Sequence, residues 1–532
     1  MPDDLSKVTE DSARGGFFLF SGSALATVIM AVAAIIVGRL LKADLYGQYN
    51  LVITVPAFVL LFTDLGISTG ITKFSASLHA EGDDSRAFRI IRFGVWFRFL
   101  IGVLATVLSV VFAGYLTFIV SRPDYAFYVQ IASLSIVFQV VFGTVNSAFV
   151  GMDKTELNAL TTNVQALAKT VLQVSLVFVT FSLTGVLIGF VGGFAVAAVA
   201  GAFLLVYRLL RPAEGSVKEG KDPNGESHRH TLNLLARFGA PLYLSTVLTG
   251  VIPLYQKAVL GFFSSNIVVG NYSVSTNFVA LLGVIPASIT TALLPAFSKL
   301  GSSSTPDVVN AFFKRANKYT CLLTIPTVAL LLLFSNQVVG IVMGSGFGSA
   351  GLILFFSVFV YLLAGLGSLS MTSLFNGLGR TRLTLGVGLV NLIVVLVLSP
   401  VFALPYGVVG VVLANLVGGI VSTLLAAYVG VHRLKVQFEA GPTIKIYLAA
   451  FLASLLPLLL LYFLWARYLE VFVIGAFLYL LVYVALLPLI GIIDDRELAT
   501  LERMTSNIRG LNIAAKPVLQ FMRKILSMRF RS

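Results

Sequence analysis

Five charged residues lie in or at the edges of long apolar stretches: Arg39, Asp64, Arg98, Lys169 and Lys257. Four are bases and one is an acid. A charge at mid-helix in a bilayer costs roughly 2.5–3.5 kcal/mol on insertion scales, so such residues normally face a bundle interior or a wet cavity. Cationic groups lining a cavity suit an anionic ligand, such as a phosphate or pyrophosphate. Each residue also has a plainer reading. Arg39 and Lys257 can snorkel to an interface, Arg98 can reach headgroups from early in its helix, and Asp64 can pair with a neighbouring base. Lys169, in "ALAKTVLQ", is the hardest to place against lipid, with "NVQ" (Asn163 to Gln165) one turn and more before it. No catalytic constellation, cofactor site or metal site is expected. Cys321 is the single cysteine, and His79, His228, His230 and His432 show no ligand spacing. "GSGFGSAG" (Gly344 to Gly351) lacks the Lys-Ser/Thr that a phosphate loop needs and reads as a flexible connection.

The elements that must hold these side chains are membrane spans. The 532 residues are 58% hydrophobic and 11% charged, with mean hydropathy +0.95, whereas soluble domains carry about 25% charge. Apolar runs of roughly 20 residues, enough to cross a bilayer, give fourteen expected helices. Their ranges are 17–38, 48–72, 90–120, 126–150, 157–181, 184–207, 238–261, 267–294, 318–343, 350–376, 383–403, 407–431, 444–465 and 470–493. With that count, thirty of the 37 Lys and Arg fall in segments sharing a side with both termini. By the positive-inside rule both termini are cytoplasmic and the chain sits in the cytoplasmic membrane. The net charge of +14 then belongs to the anionic membrane surface rather than to nucleic acid. Asp3, Asp4, Glu10 and Asp11 before a long first apolar stretch argue against a cleavable signal peptide.

A repeat organises the spans. "LLKADLYGQYNLV" is echoed by "FFSSNIVVGNYSVS", "FVGMDK" by "FNGLGR", and "TGVLIGF" by "YGVVGVV". The order is the same and the offset nearly constant: Gly47 matches Gly270 and Gly151 matches Gly377. Two copies of a six-helix unit follow, and because six is even they are parallel repeats. The expected domains are a cytoplasmic segment 1–16, an N-lobe 17–207, an inter-lobe linker 208–237, a C-lobe 238–431, two extra helices in 444–493, and a basic tail 494–532. "VLQFMRKILSMRF" in that tail is read either as lying on the inner membrane surface or as solvated.

The intramembrane charges break the repeat. Asp64 falls opposite Ala287, Lys257 opposite Ala34, Lys169 opposite Val395 and Arg39 opposite Phe262, while Arg98 falls near the apolar "CLLTI" of helix nine. Residues that handle an asymmetric substrate are free to differ between copies in this way. Prolines 56, 253, 286 and 326 interrupt spans and free backbone groups that a wet path or a packing kink could satisfy.

At these residues the chain resembles polysaccharide flippases of the multidrug/oligosaccharidyl-lipid/polysaccharide (MOP) exporter superfamily. "GRLLKADLYGQYN" is similar to the family's segment after helix one, "TDLGISTGITKF" to its Asp-x-Gly segment ending helix two, and "QKAVLG" to a helix-seven pattern in which Gln256 replaces the usual acid. The resemblance covers about residues 12–440. It implies an all-α polytopic protein, with two six-helix lobes in a V-shaped arrangement plus two C-terminal helices. It also implies alternating access, in which a glycan-pyrophosphate headgroup crosses inside while its lipid tail stays in the bilayer. The implied partners are a lipid-linked glycan, membrane lipids and other glycan-assembly proteins, with a proton or sodium ion as candidate coupling ion. A cation-coupled multidrug exporter, an integral-membrane glycan polymerase or ligase, and a scaffold for glycan assembly are the competing readings.

Overall fold

A computed structural model of the chain describes residues 2–180, 182–210, 228–303, 305–463, 468–495, 497–499, 502 and 509–529. The central part of the linker expected at 208–237, and parts of the tail expected at 494–532, lie outside the described residues. Every described element is helical. In hydrocarbon each backbone N–H and C=O must find its partner within the protein, and a helix does this locally. Among the described residues, eleven helices are long and apolar enough to cross a membrane, or twelve if the bent pair Ala350–Leu366 and Ser370–Gly377 counts as one span. Outward-facing apolar side chains such as Val111, Phe178, Val179 and Phe203 are more than half exposed, an arrangement suited to lipid and not to water.

Two of the long helices contain a break where the sequence analysis expects a connection between spans. α1 (Pro2–Leu61) leaves helical geometry only at Lys42, with φ 59° and ψ 176°. The helix Thr381–Leu434 does so at Gly407, with φ 55° and ψ −131°. One residue with positive φ suffices to turn the chain: Lys42 lies within the expected connection 39–47, and Gly407 is the residue directly after the expected connection 404–406.

The chain forms two compact units. Unit 1 comprises Met1–Asn277 and Leu392–Ala414. It holds α1, α2 (Ile67–Ala80), α3 (Asp84–Val111), α4 (Ala113–Leu116), α5 (Ala126–Ser133), α6 (Ser135–Gly151), α7 (Thr155–Thr180), α8 (Leu183–Leu204), α9 (His228–Phe263) and the start of α10 (Asn266–Ser303). Asp83 caps α3 by accepting the Arg86 backbone N–H, and Ser182 caps α8 through the N–H of Gly185, as expected of short polar side chains at helix N-termini. One core of this unit gathers Ile67, Ile71, Ile91, Val145, Phe149 and Leu235.

Unit 2 comprises Phe278–Asn391 and Asn415–Ser532. It contains the rest of α10, then α11 (Pro306–Met343), α12 (Ala350–Val358), α13 (Ser370–Gly377), most of α14 (Thr381–Leu434), α15 (Ala440–Phe463), α16 (Tyr468–Leu489) and α17 (Arg509–Arg529). The amphipathic α17 buries Leu519, Met522 and Leu526 in the same cluster as Cys321, Ile325, Tyr479 and Ile493. That segment of the tail therefore packs one face against the protein's own core, a contact that neither sequence reading of it included. Lys318 anchors the preceding turn through an ion pair with Glu497, 2.6 Å.

Candidate functional site

All five charged residues singled out in the sequence lie in unit 1, where the structure groups four of them around two features. The first is a break after α1. The sequence reads 48–72 as one helix, but residues 62–66 unwind before α2 begins at Ile67. Leu65 (φ 51°) and Gly66 (φ 80°) both adopt left-handed geometry. Gly66 also has no space for a side chain, because a Cβ there would strike the backbone of Gly239 in α9. A glycine meets both demands at once.

Asp64 sits in this break, about a quarter exposed, and Arg98 of α3 reaches it from an almost fully buried position. Arg98 Nη2 lies 3.0 Å from Asp64 Oδ1, Nε donates to Thr144 Oγ1 at 3.2 Å, and Nη1 donates to the Thr63 carbonyl. Asp64 Oδ1 also accepts the Ser68 hydroxyl. Tyr243 of α9 donates to the Leu61 carbonyl at 2.6 Å, just before the break. The guanidinium thus ties α3 and α6 to the unwound turn, with all three of its nitrogens engaged.

The second feature is a polar seam between α1, α9 and the first turns of α10. Lys257 Nζ donates to Asn50 Oδ1 at 3.2 Å, and Asn50 Nδ2 donates back to the Tyr46 carbonyl at 2.9 Å. Asn277 Nδ2 donates to Tyr46 Oη at 3.0 Å, and Tyr272 donates to Gln256 Oε1 at 3.0 Å. Backbones can approach here because Gly47 and Gly270 meet each other's helices. A Cβ on Gly47 would overlap the Asn266 carbonyl and come within 2.9 Å of the Gly270 nitrogen.

Lys169 joins the seam through aromatic rings. Its ammonium lies 5.1 Å from the Phe190 ring centroid, and Phe190 packs edge-on against Tyr49 at 6.3 Å. Tyr49 Oη accepts from Gln173 Nε2 at 2.9 Å. Gly193 and Gly189 of α8 press against the backbone at Lys169 and Gln173, which fixes where α7 presents both side chains. Lys169 has no carboxylate within ion-pair distance among the described residues. A cation held on a ring face retains donors for another acceptor. Arg39 is exposed, three residues before the Lys42 break.

Asp64 and Arg98 are therefore brought together, Lys169 and Lys257 share one chain of contacts, and Arg39 is in neither group. Sequence reasoning did not assign Asn50, Tyr46, Gln173, Gln256 or Asn277 to a site. Tyr49 and Tyr272 lie in the two echoed segments "LLKADLYGQYNLV" and "FFSSNIVVGNYSVS", and Asn50 beside Tyr49 is the available signal.

The polysaccharide biosynthesis protein family model matches residues 12–301, and the lipid II flippase MurJ model matches residues 246–483. A probable low-salt glycan biosynthesis flippase of Haloferax volcanii is 23% identical over 182 residues, which is 34% of this chain and 38% of that relative's own length. Among solved structures, lipid II flippase MurJ in an inward closed conformation superposes with TM-score 0.70 at 16% identity, covering 88% of this chain and 97% of that one. An inward-facing multidrug resistance MATE family transporter of the MOP superfamily gives 0.62 at 14% identity, covering 77% and 94%. A MOP superfamily transporter from Pyrococcus furiosus gives 0.55 at 16% identity, covering 80% and 95%. The structural likenesses show a shared fold, while the first family model covers more than half of the sequence. The chain accordingly belongs to the polysaccharide biosynthesis protein family.

Proposed function

We propose that the chain flips a lipid-linked oligosaccharide or polysaccharide precursor across the cytoplasmic membrane by alternating access. In this reading the chain crosses fourteen times, as two parallel six-helix lobes (17–207 and 238–431) plus two further helices, with both termini cytoplasmic. The breaks at Lys42 and Gly407 support counting each of the two long helices as two crossings. The observation that carries the functional reading is the seam holding Lys257 and Lys169. It offers two ammonium groups, neither in an ion pair among the described residues, set among amides and phenols that can exchange partners with a sugar pyrophosphate. Gln256 Nε2, Asn271 Oδ1 and Ser273 Oγ are buried there without a protein hydrogen bond among the described residues. Such atoms cost about 1–3 kcal/mol each unless a solvent or ligand group meets them. The Lys257–Asn50 contact is neutral on one side, so an anionic headgroup can displace it and later release it, as state-dependent binding requires.

The test is headgroup translocation by the purified chain in liposomes, using defined lipid-linked sugars with and without proton or sodium gradients. The wild-type protein should move headgroups faster than protein-free liposomes. Lys169→Ala and Lys257→Ala should each slow this by about tenfold or more, the worth of one charge-assisted contact, while remaining folded. A double variant flipping at the wild-type rate would remove the seam from the mechanism. Drug efflux without headgroup movement would instead select the multidrug-exporter reading.

A further inference from the structure

The circumference of α17 divides into three arcs. At 3.6 residues per turn, Leu519, Met522 and Leu526 fall within about 60° of one another, and all three are buried in the unit 2 core. On one flank Lys516, Gln520, Arg523, Lys524 and Ser527 span an arc of about 100°, and all of them are exposed. The other flank, an arc of about 80°, holds Val518, Phe521, Ile525 and Met528. Ile525 is half-buried there and the other three are exposed. From Val518 to Met528 the axis advances about 15 Å, so these side chains form one continuous apolar stripe beside the buried one. Scattered apolar side chains on a surface are ordinary, whereas a contiguous set marks a contact.

The position of α17 in unit 2 indicates what meets the stripe. The cluster that takes its buried face also holds Ile446, in the second turn of α15, and Tyr483 and Leu487, near the end of α16. Both helices are long and apolar enough to span and they pack along each other, so these residues lie at one end of the pair, where spans leave the hydrocarbon. Ile444 and Leu448 of α15 and Leu489 of α16, at that same end, are exposed and apolar, as suits a lipid environment. Charge points the same way. After Glu502 the sequence contains seven Lys or Arg and no acid. Arg523 pairs with Glu502 at 2.7 Å, whereas Lys516 and Lys524 have no carboxylate within ion-pair distance among the described residues. Lys524 borders the stripe, where its methylenes can lie on apolar surface while the ammonium reaches a headgroup.

We propose that the outward side of α17 docks on the membrane surface and selects anionic phospholipids. The stripe from Val518 to Met528 enters the boundary between headgroups and acyl chains, Lys524 and Lys516 meet lipid phosphates, and Gln520 and Ser527 stay in water. The helix is then held on two sides, by the unit 2 core and by the bilayer. The case rests on an apolar stripe edged by basic residues at the end of two lipid-facing spans, matched to a surface that is apolar below and anionic above. It depends neither on which substrate the protein transports nor on which side of the membrane the termini lie.

The chain has two tryptophans, Trp96 and Trp465, so Phe521→Trp in a Trp96→Phe/Trp465→Phe background puts the only indole on the stripe. The full-length protein is reconstituted in vesicles in which dibrominated phosphatidylglycerol or dibrominated phosphatidylcholine replaces a varied fraction of unlabelled phosphatidylcholine. Both lipids should quench the indole, and in the same background Ser527→Trp, on the polar flank, should be quenched less than half as strongly. A basic residue near an anionic surface is worth about fivefold in association, so Lys524 predicts a preference of about fivefold for the anionic quencher, which Lys516 raises further. K516Q/K524Q should lower the preference by at least that factor, while R380Q/R382Q, a basic pair elsewhere in unit 2, should leave it unchanged. Gln520→Lys, at an exposed position, should raise it, which gives an opposite readout if the lysine variant folds poorly. Equal quenching by the two lipids, a preference that survives K516Q/K524Q, or equal quenching at the two indole positions would overturn the proposal. So would an indole at position 521 that neither lipid reaches: quenching by aqueous acrylamide would then show the stripe in water, and shielding from acrylamide would give it to a second copy of the chain.

Discussion

Replacing Asp64 tests whether the unwound turn is held by Arg98. At 3.0 Å and an effective dielectric constant of 20, the gross attraction is about 5 kcal/mol. Desolvation of the guanidinium and the quarter exposure of Asp64 remove much of it. Breaking a buried pair from one side costs roughly 3–5 kcal/mol, and the partial exposure lowers the expectation for Asp64→Ala to about 2–3 kcal/mol. Asp64→Asn keeps an oxygen for Ser68 and Arg98, so about 1 kcal/mol is expected. Arg98→Met removes the charge and also strands the Thr63 carbonyl, for about 1–2 kcal/mol. The single changes should not add: combined in Asp64→Ala/Arg98→Met they should show a coupling energy of about 1.5 kcal/mol. Equilibrium unfolding of purified protein in mixed micelles, followed by tryptophan fluorescence, would measure the cycle. A coupling below about 0.5 kcal/mol would mean that Thr63 and Thr144 hold Arg98 without Asp64, and the structural account of this pair would fail.

Gly47→Ala should destabilise unit 1 by about 3 kcal/mol, because the neighbour is backbone that cannot move aside, measured by the same unfolding assay. Gly82→Ala has open space around it but a φ of 78°, so about 1 kcal/mol of backbone strain is expected there. Cys321, fully buried in unit 2, should resist maleimide until denaturant is added; rapid native labelling would contradict its position. The Asp83 carboxyl is held below its usual value of 3.8, chiefly by the Arg86 backbone N–H, against which burial acts, with help from Ser85. Its capping contribution, about 1 kcal/mol, is therefore complete above the ordinary carboxylate range and is lost as pH falls through the lower folded value. Hydrogen exchange in the first turn of α3 should separate wild type from Asp83→Ala at neutral pH, and the two should converge in strong acid.

Apolar run length exposed the helical, membrane-spanning class, since it depends on composition alone. Details that need a distant partner were hidden. Residues 48–72 read as one span because Thr63, Asp64 and Leu65 are not strong helix breakers; the chain unwinds there with Gly239 against Gly66 and Arg98 beneath. Lys257 follows Gln256 and has no acid beside it in the sequence, and its partner is Asn50, over 200 positions earlier. Charge alone also grouped Arg98 with Lys169, although Arg98 is fully engaged in bonds within unit 1 and Lys169 rests on an aromatic ring. Residue type marked where to look, while the division between scaffold and candidate ligand groups needed the packing.

The composition of unit 1 has a consequence for how the protein is made. Residues 392–414 belong to it, and Tyr255 donates to the Leu396 carbonyl at 2.9 Å. The ribosome reaches Asn277 well before Ala414, and at 5–20 residues per second the interval is about 7–27 s. For that time the nascent unit lacks a piece that has not yet been translated. A chain stalled or truncated between these points would leave the half holding Lys169 and Lys257 unsealed, as a target for membrane quality control before any substrate arrives.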